Sequence, residues 1–335
     1  MASERPDLRD VYRARAAIVG SARRTPLVPS PDLSRRAGAE VWLKLETLQD
    51  TGAFKIRGAA NRLVHLSAAE RERGVVTVSS GNHGRAVAHA AERLGLPAVV
   101  CMSPLVPETK VAAIRALGAE VNIVGRDQDD AEAEARRLAE SRGLVMISPF
   151  DDPLVIAGQG TIGLELLEDA PDLDTVVVPL SGGGLLGGIA IALKAASARL
   201  RVIGVSMERG PAMVESLRAG KPVPVEEVPT LADALGGSIG LENRYTFAIV
   251  RDLMDDAVLV SEDEIAAAMA YSFWTERLVV EGGGAVGIAA LLAGKIAALG
   301  RRVAVVVSGR SVDMAKLRTI IDDYAPEGVA SASSG

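Results

Sequence analysis

The chain has 335 residues, 48% hydrophobic and 24% charged, the proportions of a globular protein; this excludes a disordered, collagen-like or coiled-coil polypeptide and leaves room for about two domains, or one domain split by another. Thirty-seven basic against 43 acidic side chains give a net charge of -6 without a basic stripe, so no nucleic-acid partner is expected. One cysteine, Cys101, and three histidines cannot readily build a disulfide or a zinc cage, and no metal site is expected; the N-terminal MASERPDLRDVYRARAA has no apolar stretch and nothing later reads as a membrane span, so the reading is a cytoplasmic protein with no membrane partner.

Taken in chain order, the first unusual element is TGAFKIRGA, where Lys55 sits between Phe54 and Ile56 and is framed by Gly52 and Gly58. Lysine is scarce in this chain, and an amine in a partly apolar pocket is disfavoured as ammonium, so it can attack an aldehyde; a solvated lysine at a helix start is the plainer alternative. Leu66 to Gly74, charged and ending in a turn glycine, reads as a crossing between structural units. From Gly74 short β-branched runs alternate with helical segments: VVTVSS, a helix from His83, AVVCM, a helix near Glu108, EVNIV, a helix near Asp129, then LVMIS. This is the βαβ rhythm of a parallel sheet. The loop Ser79, Ser80, Gly81, Asn82, His83 suits a carboxylate or is an ordinary helix cap.

A second crossing is expected around Pro149 to Pro153, after which the rhythm resumes. TVVVPL (Thr175 to Leu180) leads into SGGGLLGG (Ser181 to Gly188), then RVIGVSM, helices through the 210s and 240s, a strand near Val258, helices from Ser261 and Gly284, and RRVAVVVS (Arg301 to Ser308). The expected fold class is α/β: two domains, each an open, mostly parallel sheet flanked by helices. Residues 75–149 form a smaller unit inserted into a larger one made of 1–74 and 150–330, with 331–335 as a tail. The glycine loop after an apolar strand offers backbone N–H groups at a helix N-terminus, the natural seat of a phosphate. It is not a Walker A loop, and no acidic residue ends the following strand as a dinucleotide fingerprint would require; a packing turn is the alternative.

A phosphate cradle, a pocketed lysine and a carboxylate loop together are what pyridoxal phosphate chemistry requires. With RRTPL (Arg23 to Leu27), KLE (Lys44 to Glu46), AFKIRGA, VEGGGA and VDM (Val312 to Met314), the chain resembles the fold-type II pyridoxal-phosphate enzymes of tryptophan synthase β-like architecture, specifically the threonine dehydratase and serine racemase family. The resemblance implies a lyase that removes water from a 3-hydroxy amino acid, giving a 2-oxo acid and ammonia, with a racemase as its rival and a β-replacement synthase further off. A nucleotide-binding oxidoreductase using SGGGLLGG is the alternative from another class. The resemblance also implies a homodimer acting on a small amino-acid substrate.

By position, Lys55 resembles the Schiff-base lysine and Phe54 the residue against the ring. Asn82 resembles the partner of the ring hydroxyl, Gly182, Gly183, Gly184 and Leu185 the phosphate cradle, Glu281 the glutamate near the ring and Ser308 the partner of the pyridine nitrogen. Ser79, Asn82 and His83 resemble the substrate carboxylate site, and Ser80 the acid/base opposite the lysine. A neutral hydroxyl at Ser308 leaves the pyridine nitrogen unprotonated and favours β-elimination. Three departures stand out. Gly309, Arg310 and Ser311 replace the usual Gly-Gly-Asn after the last strand, so Arg310 is expected either to pair with a substrate carboxylate or acyl oxygen or to be a surface charge at a helix start. Ser206 and Ala212 stand where relatives carry metal-binding acids. A C-terminal regulatory domain like that of the biosynthetic relatives is not expected. GVSMERGPAM and TLADALGGSIGLENRYTF resemble the hydroxyectoine-utilisation dehydratases, which implies a hydroxyectoine-derived 3-hydroxy amino acid as substrate.

Overall fold

The computed structural model describes residues 5–79, 81–104, 106, 108–126 and 128–325. Ser80 and the 331–335 tail lie outside the described residues. The chain opens with α1 (Leu8–Ala17), β1 (Leu27–Pro29), α2 (Pro31–Ala37), β2 (Glu40–Leu45), α3 (Lys55–Val64) and α4 (Ala68–Arg73). The next stretch holds β3 (Val75–Val78), α5 (Asn82–Leu94), β4 (Ala98–Met102), α6 (Glu108–Arg115), β5 (Glu120–Ile123), α7 (Gln128–Arg142) and β6 (Val145–Met146). The remainder runs through α8 (Pro153–Asp169), β7 (Thr175–Pro179), α9 (Gly184–Ala196), β8 (Arg201–Met207), α10 (Ala212–Ala219), α11 (Thr246–Leu253) and β9 (Asp256–Val260), then α12 (Glu262–Trp274), α13 (Gly282–Leu292), β10 (Arg302–Val307) and α14 (Met314–Asp323).

Two sheets result. The six-stranded sheet has the order β1-β2-β10-β7-β8-β9, parallel except for the antiparallel edge strand β1, and the four-stranded sheet β5-β4-β3-β6 is wholly parallel. The α/β architecture is therefore as expected. Leu66 to Gly74, read as a crossing, is mostly the helix α4: Ser67 and Glu70 form a reciprocal cap, and Gly74 ends the helix at φ 94°. The turn glycine marks the end of that helix, just before β3.

The central strands are buried on both faces, as a parallel sheet between helix layers requires. Along β10, Val303, Val305 and Val307 join the cluster formed with α12 and α13, while Ala304 and Val306 join the one formed with α8 and α9. The smaller sheet has its own clusters, and the apolar side of α3 belongs to one of them: Ile56, Ala59 and Leu63 pack with Val75, Ala86 and Val100. The opposite side of α3 lies against α8 with almost no gap. A Cβ on Gly158 would sit 2.6 Å from the Arg57 carbonyl oxygen, and one on Gly58 2.9 Å from that of Val155. The helix that begins at Lys55 is thus wedged between α8 and the core of the smaller sheet. Among the described residues no helix is long and apolar enough to cross a membrane, and no group of three or more His, Cys, Asp or Glu is placed to hold a metal ion.

Candidate active site

In a parallel sheet the carboxyl ends of the strands point to one rim, where loops and helix N-termini collect. Three adjacent strands of the larger sheet deliver the sequence-selected residues there: β2 leads to Lys55, β10 to Ser308 and β7 to the glycine turn. The backbone stitches the first two together. Phe54 N–H donates to the Ser308 carbonyl at 3.0 Å, Arg310 N–H donates to that of Gly52 at 3.0 Å, and Ala53 and Gly309 form an antiparallel bridge. Residues more than 250 positions apart in sequence therefore share one corner.

Lys55 is the first residue of α3 and only partly buried. Its Nζ donates to the Pro149 carbonyl at 2.7 Å and lies 5.2 Å from the centre of the Phe54 ring. Burial pushes the amine down to about 8, opposed by the Glu281 carboxylate, which favours the ammonium. An uncharged lysine is therefore accessible near neutrality.

Opposite it, α5 brings Asn82 and His83, both buried. The cap expected from this loop does not form with a side chain: Gly81 is the N-cap and Asn82 is the first helical residue. Asn82 Nδ2 instead donates to Glu281 Oε1 at 2.7 Å, and its Oδ1 is buried with no partner among the described residues. His83 Nε2 lies 3.2 Å from the Ile147 carbonyl, and burial next to Lys55 pushes the imidazole down to about 3. The ring is neutral, and a carbonyl partner puts its proton on Nε2, so the buried, unpartnered Nδ1 is left as an acceptor. Ser79 sits just before this pair, its Oγ accepting from Gly81 N–H at 3.2 Å.

Glu281 is the N-cap of α13 but makes no side-chain cap there. Its carboxylate is spent across the site, accepting from Asn82 and, at 2.9 Å, from Ser311 N–H. Burial, with the Asp233 carboxylate adding to it, pushes the carboxyl up to about 7. A Cβ at position 309 would lie 2.3 Å from Glu281 Oε1, so any side chain there would push the carboxylate from its place.

The glycine turn opens a helix N-terminus. Gly183 is left-handed at φ 86° and precedes α9, whose first turn has no side-chain cap, so the N–H groups of Gly184 and Leu185 and the positive end of the dipole stand open. A Cβ on Gly182 would meet the Phe150 ring at 2.4 Å, and one on Gly183 would meet Met213 Cε at 2.8 Å. Ser308, buried, closes the floor where β10 ends. Arg310 is exposed, and its stem runs 3.3 Å from where a Gly52 Cβ would be; the next helix does not start until Met314, capped by Asp313, so Arg310 is not a helix-start charge.

Sequence reading missed the groups that hold these residues. The Pro149 and Ile147 carbonyls carry no side-chain signal, and Phe150 had none either. Arg57, two residues after Lys55, did carry a signal: a second charge in the mostly apolar AFKIRGA. It is buried and paired with Glu46 and Glu165 at 2.8 and 2.5 Å.

Comparison with known proteins agrees with this geometry. A Sinorhizobium fredii protein carrying the name of a threonine dehydratase is 53% identical over 315 residues, covering 94% of this chain and 95% of its own. An L-threonine ammonia-lyase of Thermotoga maritima is 44% identical over 94% of this chain and 78% of its own. The solved structure of maize serine racemase superposes with a TM-score of 0.89 at 35% identity, covering 94% of this chain and 97% of its own. The family pattern of the pyridoxal-phosphate dependent enzymes matches residues 18–309, and the chain belongs to that family.

Proposed function

We propose that the protein is an ammonia-lyase that removes water from a 3-hydroxy amino acid and releases a 2-oxo acid and ammonia. The observation that carries the reading is Lys55: a partly buried amine with a depressed proton affinity, held at the Pro149 carbonyl on the rim that also carries an uncapped glycine turn. The names borne by the Sinorhizobium and Thermotoga relatives support the reaction class. The family membership removes the nucleotide-binding oxidoreductase alternative for SGGGLLGG.

The residues present fit pyridoxal phosphate. A turn that tolerates no Cβ at Gly182 or Gly183 and open N–H groups through Leu185 suit its phosphate, and the buried, unpartnered acceptors Asn82 Oδ1 and His83 Nδ1 need polar guests. We assign Gly182, Gly183, Gly184 and Leu185 to the phosphate, Phe54 to one face of the ring, Asn82 to the ring hydroxyl and Ser308 to the pyridine nitrogen. Bound there, the cofactor supplies an electron sink for the substrate α-carbon. Lys55, as the neutral amine, takes the proton from that carbon. Ser79, Asn82 and His83 orient the substrate carboxylate, and Ser80 is assigned to the opposite face. Glu281 accepts from Asn82 and so fixes the amide between the two sheets.

The substrate class is finer than the family. We take it to be a 3-hydroxy amino acid from the opened hydroxyectoine ring, on the two sequence stretches 204–213 and 230–247, with Arg310 at the rim for a substrate acyl or carboxylate oxygen. The division into 1–74 plus 150–330 and 75–149, a homodimer and a cytoplasmic site of action belong to the same proposal. The maize racemase match favours one second reading, an amino-acid racemase.

The test is ammonia release from purified protein given threonine, serine, 3-hydroxyaspartate and hydroxyectoine-derived compounds, with chiral analysis of recovered substrate. Lyase turnover with Lys55→Ala slower by at least roughly 100-fold is expected, the loss typical of a missing proton-transfer group. Undiminished turnover in that variant would falsify the assignment, and racemised substrate without ammonia would favour the second reading.

A further inference from the structure

The segment 149–152 joins Lys55, the glycine turn and the helices packed around them, and each of its residues makes a different contact. Pro149 supplies the carbonyl that receives Lys55 Nζ at 2.7 Å. Phe150 lies over the glycine turn, its ring 2.4 Å from where a Gly182 Cβ would be and its backbone 3.0 Å from where one on Gly184 would be. Asp151 reaches away to the first turn of α11: its Oδ1 accepts from the N–H groups of Tyr245 and Thr246, both at 2.9 Å, and its Oδ2 from that of Arg244 at 2.7 Å. Asp152 caps α8 through Leu154 and Val155 N–H and pairs with Arg62 of α3 at 3.0 Å.

The position of α11 gives the Asp151 contacts their meaning. Thr246 and Val250 of that helix back onto Gly183: a Cβ there would lie 3.1 Å from Thr246 Cβ and 2.9 Å from Val250 Cγ2. The turn is thus enclosed by Phe150 on one side and by α11 on the other, and Asp151 joins the two. A carboxylate accepting three backbone N–H groups at a helix start is a strong, charge-assisted fixture. It is also only two residues from the carbonyl that holds the lysine.

We propose that Asp151 is the positioning residue of this site, clamping the glycine turn between Phe150 and α11 and, through Pro149, fixing where the Lys55 amine stands. The proposal rests on the reading that Lys55 and the glycine turn receive the two ends of pyridoxal phosphate. No sequence pattern marks Asp151, because its partners are backbone groups more than 90 positions away.

The experiment uses the full chain, stripped of cofactor and then titrated. Three quantities are read: the dissociation constant for pyridoxal phosphate, protection of Lys55 from amine acylation by inorganic phosphate and by the cofactor, and the urea midpoint. Asp151→Ala is expected to weaken cofactor binding at least tenfold and to change the rate at which free Lys55 is acylated. Asp151→Asn, whose Oδ1 can still accept from Tyr245 and Thr246, is expected to fall between it and wild type and serves if the alanine variant does not fold. Asn243→Ala is the control: it removes the acceptor for Phe247 N–H and the donor to Thr246 Oγ1 from the same helix turn without touching 148–152. It is expected to lower the urea midpoint and leave cofactor affinity within twofold. If the Asp151 variants lower only the urea midpoint, or if Asn243→Ala weakens cofactor binding as much as they do, Asp151 is a helix cap and the proposal is overturned. If Lys55 of the wild type is not protected by the cofactor at all, the reading beneath it fails, and the proposal with it.

Discussion

Burial acts on Lys55 and Glu281 in opposite senses, lowering an amine to about 8 and raising a carboxyl to about 7, so two groups normally six units apart titrate within about one unit of each other. Lys55 also feels Glu281 directly, whose charge favours the ammonium. Replacing Glu281 with Gln removes that charge, so the pH at which free Lys55 becomes reactive towards an acylating reagent is expected to move below about 8; a midpoint that rises or stays would contradict the coupling. A stability consequence follows with a definite sign. Burial pushes the folded-state carboxyl up to about 7 from its ordinary 4.5, so wild-type protein loses stability as pH rises through that window, the unfolded chain ionising first. Glu281→Gln lacks this loss. Its urea midpoint, measured on cofactor-free protein, is expected to gain on the wild type between about pH 4.5 and 7 and to run parallel to it above.

The element that sets Lys55 in place is α3, and a buried charge cluster anchors it. Arg57 forks onto two carboxylates, its Nε and Nη2 donating to Glu46 at 2.9 and 2.8 Å and its Nη1 and Nη2 to Glu165 at 2.5 and 2.9 Å. Lys44 completes the set, 2.7 Å from Glu165 and donating to the Thr25 carbonyl at 2.6 Å. These two cations and two anions are all at or near full burial, and Asp169 adds a less buried carboxylate 3.7 Å from Lys44. Arg57→Met would leave Glu165 its lysine but deprive Glu46 of its partner, keeping only the Thr25 hydroxyl and the Gln49 amide as donors. The expected cost is about 3–5 kcal/mol, the usual penalty for breaking a buried pair from one side. Arg57→Lys retains the charge without the fork, and is expected to recover only part of it. Urea unfolding monitored by circular dichroism checks both, and a loss under about 1 kcal/mol for the methionine variant would mean the cluster adds little to stability. Local reading could find Lys44, Glu46 and Arg57, since each interrupts an apolar run. It could not pair them, because Glu165 lies about a hundred positions on and helical periodicity says nothing of which helices meet.

At the scale of the whole chain, strand rhythm revealed two sheets, and continuous apolar runs in β7, β8 and β10 marked the larger one. The glycine turn and Lys55 were legible because their chemistry is local. What stays hidden in a linear reading is which unit owns a helix at a crossing. The strands of the smaller sheet all fall within 75–146, which suggests a boundary at residue 74, yet Ile56, Ala59 and Leu63 of α3 are buried among Val75, Ala86, Val100 and Ile114. Removing α3 would strip one face of that cluster, and each Ile or Leu exposed forfeits roughly 1.5–3 kcal/mol, a large part of the few kcal/mol a unit of this size can hold in reserve. A fragment of residues 75–149 is therefore expected to lack a cooperative urea transition and to bind a hydrophobic dye, whereas residues 50–149 are expected to unfold cooperatively. If both fragments unfold alike, α3 packs on the smaller sheet without stabilising it. If only the longer one does, Lys55 is carried at the first turn of the smaller unit's own helix while Glu281, whose charge it feels, belongs to the larger, and any movement between the two sheets changes the distance on which the Lys55 proton equilibrium depends.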